Sequence, residues 1–385
     1  MKKVRDEYKM TELGEIPEEW EIKKIKDIAN ICYGKSQKEV EVEDGKYKIL
    51  GTGGVIGYTN DFLWNRPSVL IGRKGTIDKP QYIEEPFWTV DTLFYTKINE
   101  NYIAKWFYYY LDNIDLKKYN EATGVPSLSV ANLNTIRIAT PTKKEQEKIS
   151  FILSTVDEQI DNVDALIEKN KELKKGLMQT LLTKGIGHTK FKKTEIGEIP
   201  EEWDVKKLEC VFEILDSMRK PIKASDREKI EGNIPYYGAS GVIDWINDYI
   251  FDEELILLGE DGENLNSRNS DLAFKISGKT WVNNHAHVFR VINKKECNID
   301  FMVYYLEAKD YSIYIAGSAQ PKITQAQCRK FLLPLPEKQE QDKIASILLE
   351  SDKKIEEYEN KKQKLEELKK GLMQELLTGM IRVTV

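Results

Sequence analysis

The sequence contains the same unit twice. The segment TELGEIPEEWEIKKI at Thr11–Ile25 returns as TEIGEIPEEWDVKKL at Thr194–Leu208, and ELKKGLMQTLLTKG at Glu172–Gly185 returns as ELKKGLMQELLTGM at Glu367–Met380. Internal repetition constrains the architecture before any single residue is interpreted, because two copies of one unit adopt the same local fold. The chain should therefore consist of two similar halves.

The two copies are unevenly spaced along the chain. Thr194 follows Thr11 by 183 residues, whereas Gly371 follows Gly176 by 195 residues. The second copy has gained residues in its middle, while its opening segment and its closing helical segment are kept. This pattern indicates a fixed frame that carries two different variable regions.

Length and composition narrow the class of protein. A chain of 385 residues with 41% apolar content is long enough for two or three domains. It has no apolar run of membrane-spanning length and no signal peptide, so we expect a cytoplasmic protein without a membrane partner. The four cysteines form no C-x-x-C pair and are interpreted as reduced thiols. The net charge of −6 does not exclude a nucleic-acid partner, because local patches set the field that a phosphate backbone experiences.

Two long segments, Glu145–Lys184 and Glu340–Thr378, each carry a single apolar stripe. Its members recur in steps of three and four residues, which is the spacing of a coiled coil, and each helix would be on the order of 55–60 Å long. The first stripe comprises Ile149, Leu153, Val156, Ile160, Val163, Ile167, Asn170, Leu173, Leu177 and Leu181, and the second comprises Ile344, Leu348, Ser351, Ile355, Tyr358, Lys362, Leu365, Leu368 and Leu372.

One stripe on each helix favours pairing of the two helices with each other. If an internal two-fold axis relates the halves, the helices run antiparallel and the globular regions lie at opposite ends of the bundle. This arrangement would bring Asn170 near Ser351 as a polar contact that fixes the register. The alternative is that both polar residues are tolerated at helix edges.

Each variable region mixes strand and turn patterns with one tyrosine-rich helix. Tyr47–Gly51 and Ile234–Gly238 predict strands that enter glycine turns, while Val69–Gly75 (VLIGRKG) and Ile256–Gly262 (ILLGEDG) predict a strand and a following loop. The helix pattern is IAKWFYYYL at Ile103–Leu111. The predicted fold class is α+β: two similar mixed α/β domains separated by two long helices that form an antiparallel coiled coil, with internal pseudo-two-fold symmetry.

Recurring motifs at the ends of the unit resemble a known family. Each copy opens with G-x-I-P-x-x-W, at Gly14–Trp20 and Gly197–Trp203, and closes with P-x-x-x-E-Q-x-x-I, at Pro141–Ile149 and Pro336–Ile344. A repeated variable domain framed in this way resembles the specificity subunit of type I restriction-modification systems. The resemblance covers essentially the whole chain.

Motifs inside the variable regions add to the resemblance, and they differ between the copies. The second copy has NNHAHVF at Asn283–Phe289 and GSAQPKIT at Gly317–Thr324. The first copy has VDTLFY at Val90–Tyr95 in place of the two histidines and a weaker GVPSLS at Gly124–Ser129. These differences are typical of two domains that read different sequences.

The resemblance implies a DNA-reading caliper. Residues 1–143 would form the first target-recognition domain, 144–184 the first spacer helix, 185–338 a linker and the second target-recognition domain, and 339–385 the second spacer helix with a tail. Each domain would read one half of a split site in double-stranded DNA, and the paired helices would set the unread gap. Readers on one face of B-DNA should be centred about 34–36 Å apart, or one turn.

The resemblance also implies that the chain is not itself catalytic. Methyl transfer would belong to modification subunits, two of them, and cleavage to restriction subunits. S-adenosylmethionine and ATP would therefore bind those partners, and no cofactor would bind this chain.

The helix ends carry a further candidate surface for partners. It consists of broad apolar patches, which would either dock a modification subunit or close the intramolecular bundle. The patches comprise Leu177, Met178, Leu181, Leu182, Leu372, Met373, Leu376 and Leu377.

Base reading requires directional donors and acceptors on loops held by a rigid sheet. Arg73-Lys74 is the leading candidate in the first half, because it follows an apolar strand and lies between Gly72 and Gly75, where the backbone can approach a phosphate and arginine can reach guanine. The alternative is a solvated turn. The first-half candidates are Lys35, Ser36, Gln37, Arg73, Lys74, Thr76, Thr89, Thr92, Ser127 and Ser129.

In the second half, the loop that corresponds to Arg73-Lys74 is acidic, with Glu260-Asp261. It would read cytosine amino groups or contribute little. His285 and His287 alternate along a strand and would face the same side. Metal ligation by this pair would need a further ligand, and the only other histidine, His188, lies in the linker between the domains. A structural or DNA-facing role is therefore favoured over metal ligation. The second-half candidates are Arg219, Lys220, Arg268, Asn269, Asn283, Asn284, His285, Gln320, Lys322, Thr324 and Gln325.

Enzymatic interpretations fail on individual residues. Gly34-Lys35-Ser36 resembles the end of a phosphate-binding loop, but Ala29 occupies the place of its first glycine. The glycines of Gly51–Gly57 imitate a dinucleotide fingerprint with one glycine displaced, and a turn between strands explains them better. Two rival classes stay open beside a DNA reader: a coiled-coil adaptor without DNA binding and a stand-alone DNA methyltransferase.

Overall fold

The computed structural model describes residues 5–316 and 321–384. The chain forms two compact units: the first comprises residues up to Ala165 together with those from Asn360 onward, and the second comprises Leu166–Glu359. Among the described residues, no helix combines the length and the apolar character needed to cross a membrane.

The elements of the first half follow chain order. Its strands are β1 (Tyr8–Thr11), β2 (Gly14–Pro17), β3 (Glu21–Lys24), β4 (Ala29–Tyr33), β5 (Glu41–Val42), β6 (Tyr47–Gly51), β7 (Gly54–Thr59), β8 (Ser68–Gly72), β9 (Gln81–Ile83), β10 (Phe87–Thr89), β11 (Leu93–Ile98) and β12 (Arg137–Thr140). Its helices are α1 (Ile25–Ile28), α2 (Ala104–Asn113), α3 (Val130–Leu133) and α4 (Lys143–Lys184), with a 3-10 turn at Leu116–Tyr119.

The elements of the second half repeat this order. Its strands are β13 (Phe191–Thr194), β14 (Gly197–Pro200), β15 (Asp204–Lys207), β16 (Phe212–Ile214), β17 (Glu231–Gly238), β18 (Gly241–Ile246), β19 (Phe251–Asp252), β20 (Leu255–Gly259), β21 (Ala273–Ile276), β22 (Lys279–Val282), β23 (Ala286–Val291) and β24 (Leu332–Leu335). Its helices are α5 (Leu208–Val211), α6 (Ala224–Arg227), α7 (Asn264–Ser267), α8 (Ile299–Ala308), α9 (Gln325–Cys328) and α10 (Lys338–Leu377), with 3-10 turns at Asp216–Met218 and Glu228–Ile230.

Each half contains two four-stranded sheets and two pairs of antiparallel strands. In the first unit the sheet orders are β4-β11-β8-β9 and β10-β6-β7-β5, and in the second they are β16-β23-β20-β21 and β18-β17-β22-β19. The opening strands pair as β1-β2 and β3-β12, and their counterparts pair as β13-β14 and β15-β24. The expected α+β fold with a duplicated topology is therefore confirmed.

Each unit has its own hydrophobic core. In the first, Trp20, Trp106 and Phe107 are buried together with Met373, Leu376 and Leu377 from the end of α10. In the second, Trp203, Phe301 and Leu182 share one core, and Leu177, Met178 and Leu181 pack against it. The apolar helix ends thus close onto the core of the unit that holds them, which is the intramolecular alternative predicted above.

The helix segments inside each unit run antiparallel, as expected. In the first unit Lys369 lies 2.7 Å from Asp157 and Lys362 lies 2.7 Å from Asp164. As the residue number rises along α10, the number of its partner on α4 falls, so the two helix segments point in opposite directions. The same order holds in the second unit, where Lys174 pairs with Asp352 and Lys171 lies 3.0 Å from Glu359.

A repeated side-chain group ties each helix pair to its own domain. The Tyr109 hydroxyl donates to Asp157 at 2.6 Å and the Tyr304 hydroxyl donates to Asp352 at 2.6 Å, while a lysine of the opposite helix, Lys369 or Lys174, pairs with the same carboxylate. Corresponding members of the two Tyr-Asp-Lys groups are 195 residues apart in the sequence, which is also the distance between Gly176 and Gly371 in the repeat. They fix the helix register in each unit.

The predicted Asn170–Ser351 contact is wrong. The Asn170 amide donates to the Leu166 carbonyl at 2.7 Å, and the Ser351 hydroxyl donates to the Ile347 carbonyl at 3.1 Å, so each side chain bonds to its own helix. The ion pairs perform the task that this polar contact was expected to perform.

Candidate nucleic-acid interface

In the first unit, four segments meet at one edge of the β4-β11-β8-β9 sheet. Because β11 is antiparallel to both neighbours, its start pairs with the last residues of β4 and β8: Phe94 lies opposite Tyr33 and Leu93 opposite Gly72. The loops after β4 and β8 and the loop before β11 therefore emerge together. The predicted residues Lys35–Gln37, Arg73–Thr76 and Thr92 all lie on these loops.

Backbone hydrogen bonds join the loops and add the fourth segment. The Lys35 amide donates to the Thr89 carbonyl at 2.8 Å and the Arg73 amide donates to the Thr92 carbonyl at 2.8 Å. The Leu128 amide donates to the Arg73 carbonyl at 2.9 Å, which brings Ser127 beside Lys74. Residues that are far apart in sequence thus lie together at one edge of the sheet.

Arg73 is held by neutral partners. Its Nη1 donates to the Asp91 carbonyl at 3.1 Å, and its guanidinium carbon lies 5.5 Å from the centre of the Tyr33 ring. Within the described part of the chain, no carboxylate oxygen lies within salt-bridge distance of Arg73, Lys74 or Lys35. Lys35 and Lys74 are exposed, so this edge presents a compact group of uncompensated positive charge.

Two first-half candidates have structural roles. Thr89 is fully buried, and its hydroxyl donates to the Leu93 carbonyl at 2.9 Å. Ser129 caps α3 by accepting from the Asn132 amide and donates to Glu121 at 2.6 Å. Thr89 has no side-chain surface with which to touch a base in this conformation, whereas Ser36, Gln37, Thr76, Thr92 and Ser127 are at least partly exposed.

The second unit has the same edge. The Glu260 amide donates to the His285 carbonyl at 2.8 Å, the Ile323 amide donates to the Glu260 carbonyl at 2.8 Å, and Asp261 lies beside Lys322. Each has an equivalent in the first unit: the Arg73 amide bonds the Thr92 carbonyl, the Leu128 amide bonds the Arg73 carbonyl, and Lys74 lies beside Ser127. Glu260-Asp261 is therefore the structural counterpart of Arg73-Lys74, as the repeat predicted.

The charges of the second edge are paired with one another. Arg219 Nη1 donates to Glu260 at 2.5 Å and to the Ala286 carbonyl at 2.7 Å, while Lys322 lies 3.0 Å from Glu260. His285 Nδ1 lies 2.8 Å from Asp261. Burial favours the protonated form of Glu260, but hydrogen bonds from Arg219 and Lys322 and the charge of His287 outweigh it and hold the pKa of Glu260 below its ordinary value.

Three members of this edge could in principle hold a cation. Asp216, Glu260 and His287 each offer one possible ligand atom, a carboxylate oxygen or a ring nitrogen, and these three atoms lie within 4.8 Å of one another. However, His287 Nδ1 lies 2.6 Å from Asp216, and Arg219 already bonds Glu260. The three side chains satisfy one another and a guanidinium, so their arrangement fits an internal ionic network better than a metal centre.

The remaining second-half candidates divide into three groups. Lys220, Asn284 and Thr324 are exposed on the loops of this edge, although the Thr324 hydroxyl also caps α9. Asn283 is buried and accepts from the His285 amide at 2.8 Å, and Gln325 Nε2 donates to Asp216 at 3.3 Å. Gln320 lies outside the described residues.

Arg268 and Asn269 do not join this edge. Arg268 closes α7 with a left-handed φ of 51°, and its guanidinium donates to the carbonyl and the carboxylate of Glu307 on α8. The prediction that Arg268 contacts DNA does not fit this position, because its guanidinium holds α7 against α8 through Glu307. Asn269, the next residue, is exposed beside it.

The structure adds residues that sequence reasoning missed. Tyr33, at the end of β4, and Asp216, just after β16, occupy equivalent places and contact Arg73 and Arg219 respectively. The hairpins β6-β7 and β17-β18 also present matching exposed apolar side chains, which are Val55, Ile56 and Tyr58 in one and Val242, Ile243 and Trp245 in the other. The sequence contained a sign of these apolar side chains, because GVIGYT at Gly54–Thr59 aligns with GVIDWI at Gly241–Ile246.

Comparison with known proteins decides the family. The model of the type I restriction modification DNA specificity domain matches residues 17–174 and again 200–367. The chain belongs to the type I restriction-modification specificity-subunit family. The two matches coincide with the two copies of the repeat, and each includes one of the two sheet edges described above.

Relatives of full length agree with this membership. The type I restriction enzyme MjaVIII specificity subunit of Methanocaldococcus jannaschii is 31% identical, over 96% of this chain and 94% of its own length. The putative MjaX specificity subunit of the same organism is 29% identical, over 98% and 97%. A crystal structure of a type I system S subunit from M. genitalium shares the fold with a TM-score of 0.67 at 17% identity, covering 99% of both chains.

Proposed function

We propose that this specificity subunit reads a split DNA site, with one half of the site recognised by each unit. The observation that carries the proposal is that one backbone frame, with matching loops at the same sheet edge, holds opposite charges in its two copies: Arg73-Lys74 in the first and Glu260-Asp261 in the second. Loops on a rigid sheet are where base readers reside. Two edges with different donors and acceptors would select different bases.

The first edge suits guanine or a phosphate. Arg73 and Lys74 follow β8, and each has free donors. A guanidinium can donate twice to guanine O6 and N7, and the exposed ammonium groups of Lys74 and Lys35 suit the backbone. We therefore assign base reading to Arg73 and phosphate contact to the lysines.

The second edge suits a base that offers an amino donor. Asp261 is a carboxylate acceptor beside Lys322, and His285 and Asn284 are exposed next to it. Carboxylates accept from cytosine N4, and amides pair with adenine. Because Arg219 is committed to Glu260 and Asp216, it positions the loop and does not read the bases.

The long helices would set the distance between the half-sites. α4 has 42 residues and α10 has 40. A helix of that size is about 60 Å long at 1.5 Å per residue, whereas one turn of B-DNA measures about 34–36 Å. Helices of this kind are suitable spacers, because the length of an intact helix does not vary.

Catalysis would lie in partner subunits. The relatives are named specificity subunits of restriction enzymes, which implies further subunits in those enzymes. We propose that modification subunits, two for the two similar units, and restriction subunits assemble on this chain in a cytoplasmic complex. They would bring the S-adenosylmethionine and ATP sites. The repeated opening segments and exposed helix residues such as Leu173 and Leu368 are the docking surfaces we favour.

Selection of bound duplexes from a randomised library tests the proposal. The expected result is two short constant blocks with an invariant gap. A coiled-coil adaptor would select nothing, and its binding would collapse with rising salt if it bound at all. Incubation of the isolated chain with labelled S-adenosylmethionine and the selected duplex tests the other rival, because methyl transfer by the chain alone would contradict a non-catalytic role.

A further inference from the structure

The second recognition edge contains a buried ion pair where the first has an aromatic pair. In the first unit Tyr33 lies opposite Phe94, with the ring centres 5.1 Å apart. In the second unit β16 and β23 continue the equivalent register, so that Asp216 lies opposite His287. The residues correspond in the ladder but differ completely in chemistry.

His287 is bonded at both ring nitrogens. The side chain has no exposed surface, Nδ1 lies 2.6 Å from Asp216 Oδ2, and Nε2 lies 2.9 Å from the Ile323 carbonyl. A carbonyl oxygen can only accept, so Nε2 must carry a proton, and the carboxylate requires one on Nδ1. The geometry therefore calls for the imidazolium form, and neither nitrogen has a lone pair free for a metal.

The imidazolium links all four recognition segments of this edge. Asp216 follows β16, and its second oxygen accepts from the Val288 amide at 3.0 Å. His287 is the second residue of β23 and donates to the Ile323 carbonyl, while the Ile323 amide donates to the Glu260 carbonyl of the loop after β20. Gln325 donates to Asp216 as well. The His287 ring thus adds a direct link from β23 to the segments of Asp216 and Ile323, beside the ion pairs that Glu260 makes with Arg219 and Lys322.

The surrounding charges are consistent with a cation. The titratable groups that face His287 are Asp216, Glu260 at 3.8 Å and the Cys328 thiol of α9. Arg219 pairs with both Asp216 and Glu260, and Lys322 pairs with Glu260. Burial opposes the charged form, but hydrogen bonds and charges of Asp216 and Cys328 outweigh it and raise the pKa of His287 to about 10.

We propose that His287 is a permanently charged positioning residue, which fixes the loops of the second unit so that reading of the second half-site, and of that half-site alone, depends on the His287–Asp216 pair. The positioning role rests on the proposed function. The protonation state does not, because it follows from the hydrogen bonds alone.

The charge state can be measured directly. The chain has only three histidines, so a ¹⁵N-histidine spectrum of the full-length protein can be assigned with His188→Gln and His285→Gln variants. At pH 8 we expect the His287 ring to show two protonated nitrogens, whereas the unfolded value near 6.5 would leave that ring neutral. A neutral His287 ring at pH 8 would overturn the proposal.

The partner of the charge supplies a second measurement. Asp216→Asn removes the acceptor that stabilises the cation, so burial should then dominate and bring the titration of His287 below pH 8. In the wild type the ring stays charged until the pH approaches about 10. The stability that the charged ring contributes is fully present below the unfolded pKa and declines as the pH rises from there through about 10. The second half-site preference should accordingly be constant from pH 6 to 9 in the wild type and become pH-dependent in the variant. Equal pH dependence of both proteins would contradict the proposal.

Position-resolved competition separates positioning from general stability. His287→Gln should reduce the preference for the second half-site about tenfold, the size of one mismatched base pair, and leave the first unchanged. The double variant Asp216→Tyr/His287→Phe, which installs the aromatic pair of the first unit, should keep the fold and change the preference. The control Phe94→Tyr should not affect the second half-site.

The outcomes distinguish this inference from the proposed function. Loss of both half-site preferences in His287→Gln, or restoration of the wild-type preference by added divalent cations, would contradict the positioning role. A wild-type chain without any half-site preference would remove the proposed function and the positioning role together, whereas intact preferences in every His287 variant would remove the positioning role alone.

Discussion

The two recognition edges use one backbone and two kinds of side-chain support. In the first, Arg73 rests on Tyr33 and a backbone carbonyl and keeps its charge free. In the second, Glu260 is enclosed by Arg219, Lys322 and the His287–Asp216 pair. The comparison shows that the duplicated frame fixes where the loops lie, while the side chains behind them decide which charge is presented.

The frame itself differs little between the units. Both helix pairs are attached through a Tyr-Asp-Lys group, Tyr109-Asp157-Lys369 in one and Tyr304-Asp352-Lys174 in the other. The parts that attach each helix pair to its domain are thus kept, while the side chains at the two sheet edges differ.

Removal of the Asp216 carboxylate should lower the free energy of unfolding more than any other change considered for the two edges. Asp216→Ala leaves the imidazolium of His287 and part of Arg219 without a partner in a buried site, which costs about 3–5 kcal/mol. Tyr33→Ala, the equivalent change in the first unit, removes only packing against Phe94 and Arg73 at a half-exposed ring and should cost clearly less. Urea unfolding followed by near-ultraviolet circular dichroism measures both variants. Equal losses would show that the two edges are supported in the same way.

Arg73→Ala should weaken binding by about 1–3 kcal/mol and relax one position of the first half-site. The physical reason is the loss of paired hydrogen bonds to one base edge. Competitive gel shifts with single-base variants of the selected duplex measure the change. Lys26→Ala, which removes the same charge from α1 at the opposite end of β4, is the matched control and should have little effect. Uniform weakening over all sequences would reassign Arg73 to a phosphate.

Lys174→Ala and Lys369→Ala should each destabilise the protein by at most about 1 kcal/mol, because these ion pairs are partly exposed. The two losses should be alike, since the groups are repeats of each other. Parallel thermal melts measure the effect, and half-site preferences should stay as in the wild type. A large difference between the two variants would contradict an equivalent frame.

Lys74→Ala should have the smallest effect on specificity. If the lysine contacts a phosphate, the variant binds somewhat more weakly to every duplex, and the slope of log affinity against log salt becomes shallower by about one. Titrations between 50 and 200 mM salt measure that slope. A base-dependent loss would instead make Lys74 a reader.

The repeat predicted much of the fold because it carried its own alignment. The helix pairing, the α+β regions and the match of Arg73-Lys74 to Glu260-Asp261 all followed from copies placed side by side. Leu173 and Leu368 show the limit of the pattern: both continue the apolar stripe, yet both are exposed. Periodicity identifies a face but not where its packing ends.

Individual site residues were harder to predict because their partners are distant in sequence. Arg268 is engaged by Glu307 and Asn283 by the backbone of its own loop, and neither fact is visible in a loop sequence rich in polar residues. Thr89 resembles an exposed threonine next to a loop but lies in the core. Asp216 was missed because only the fold places it opposite His287.

The sequences bound by the purified subunit and by its Arg73→Ala and His287→Gln variants test the central claim most directly. We expect the wild type to select two dissimilar blocks at a constant gap, Arg73→Ala to blur only the first unit's block, and His287→Gln only the second unit's block. A single continuous motif, or variants that blur both blocks equally, would contradict the account of two independent readers on one duplicated frame.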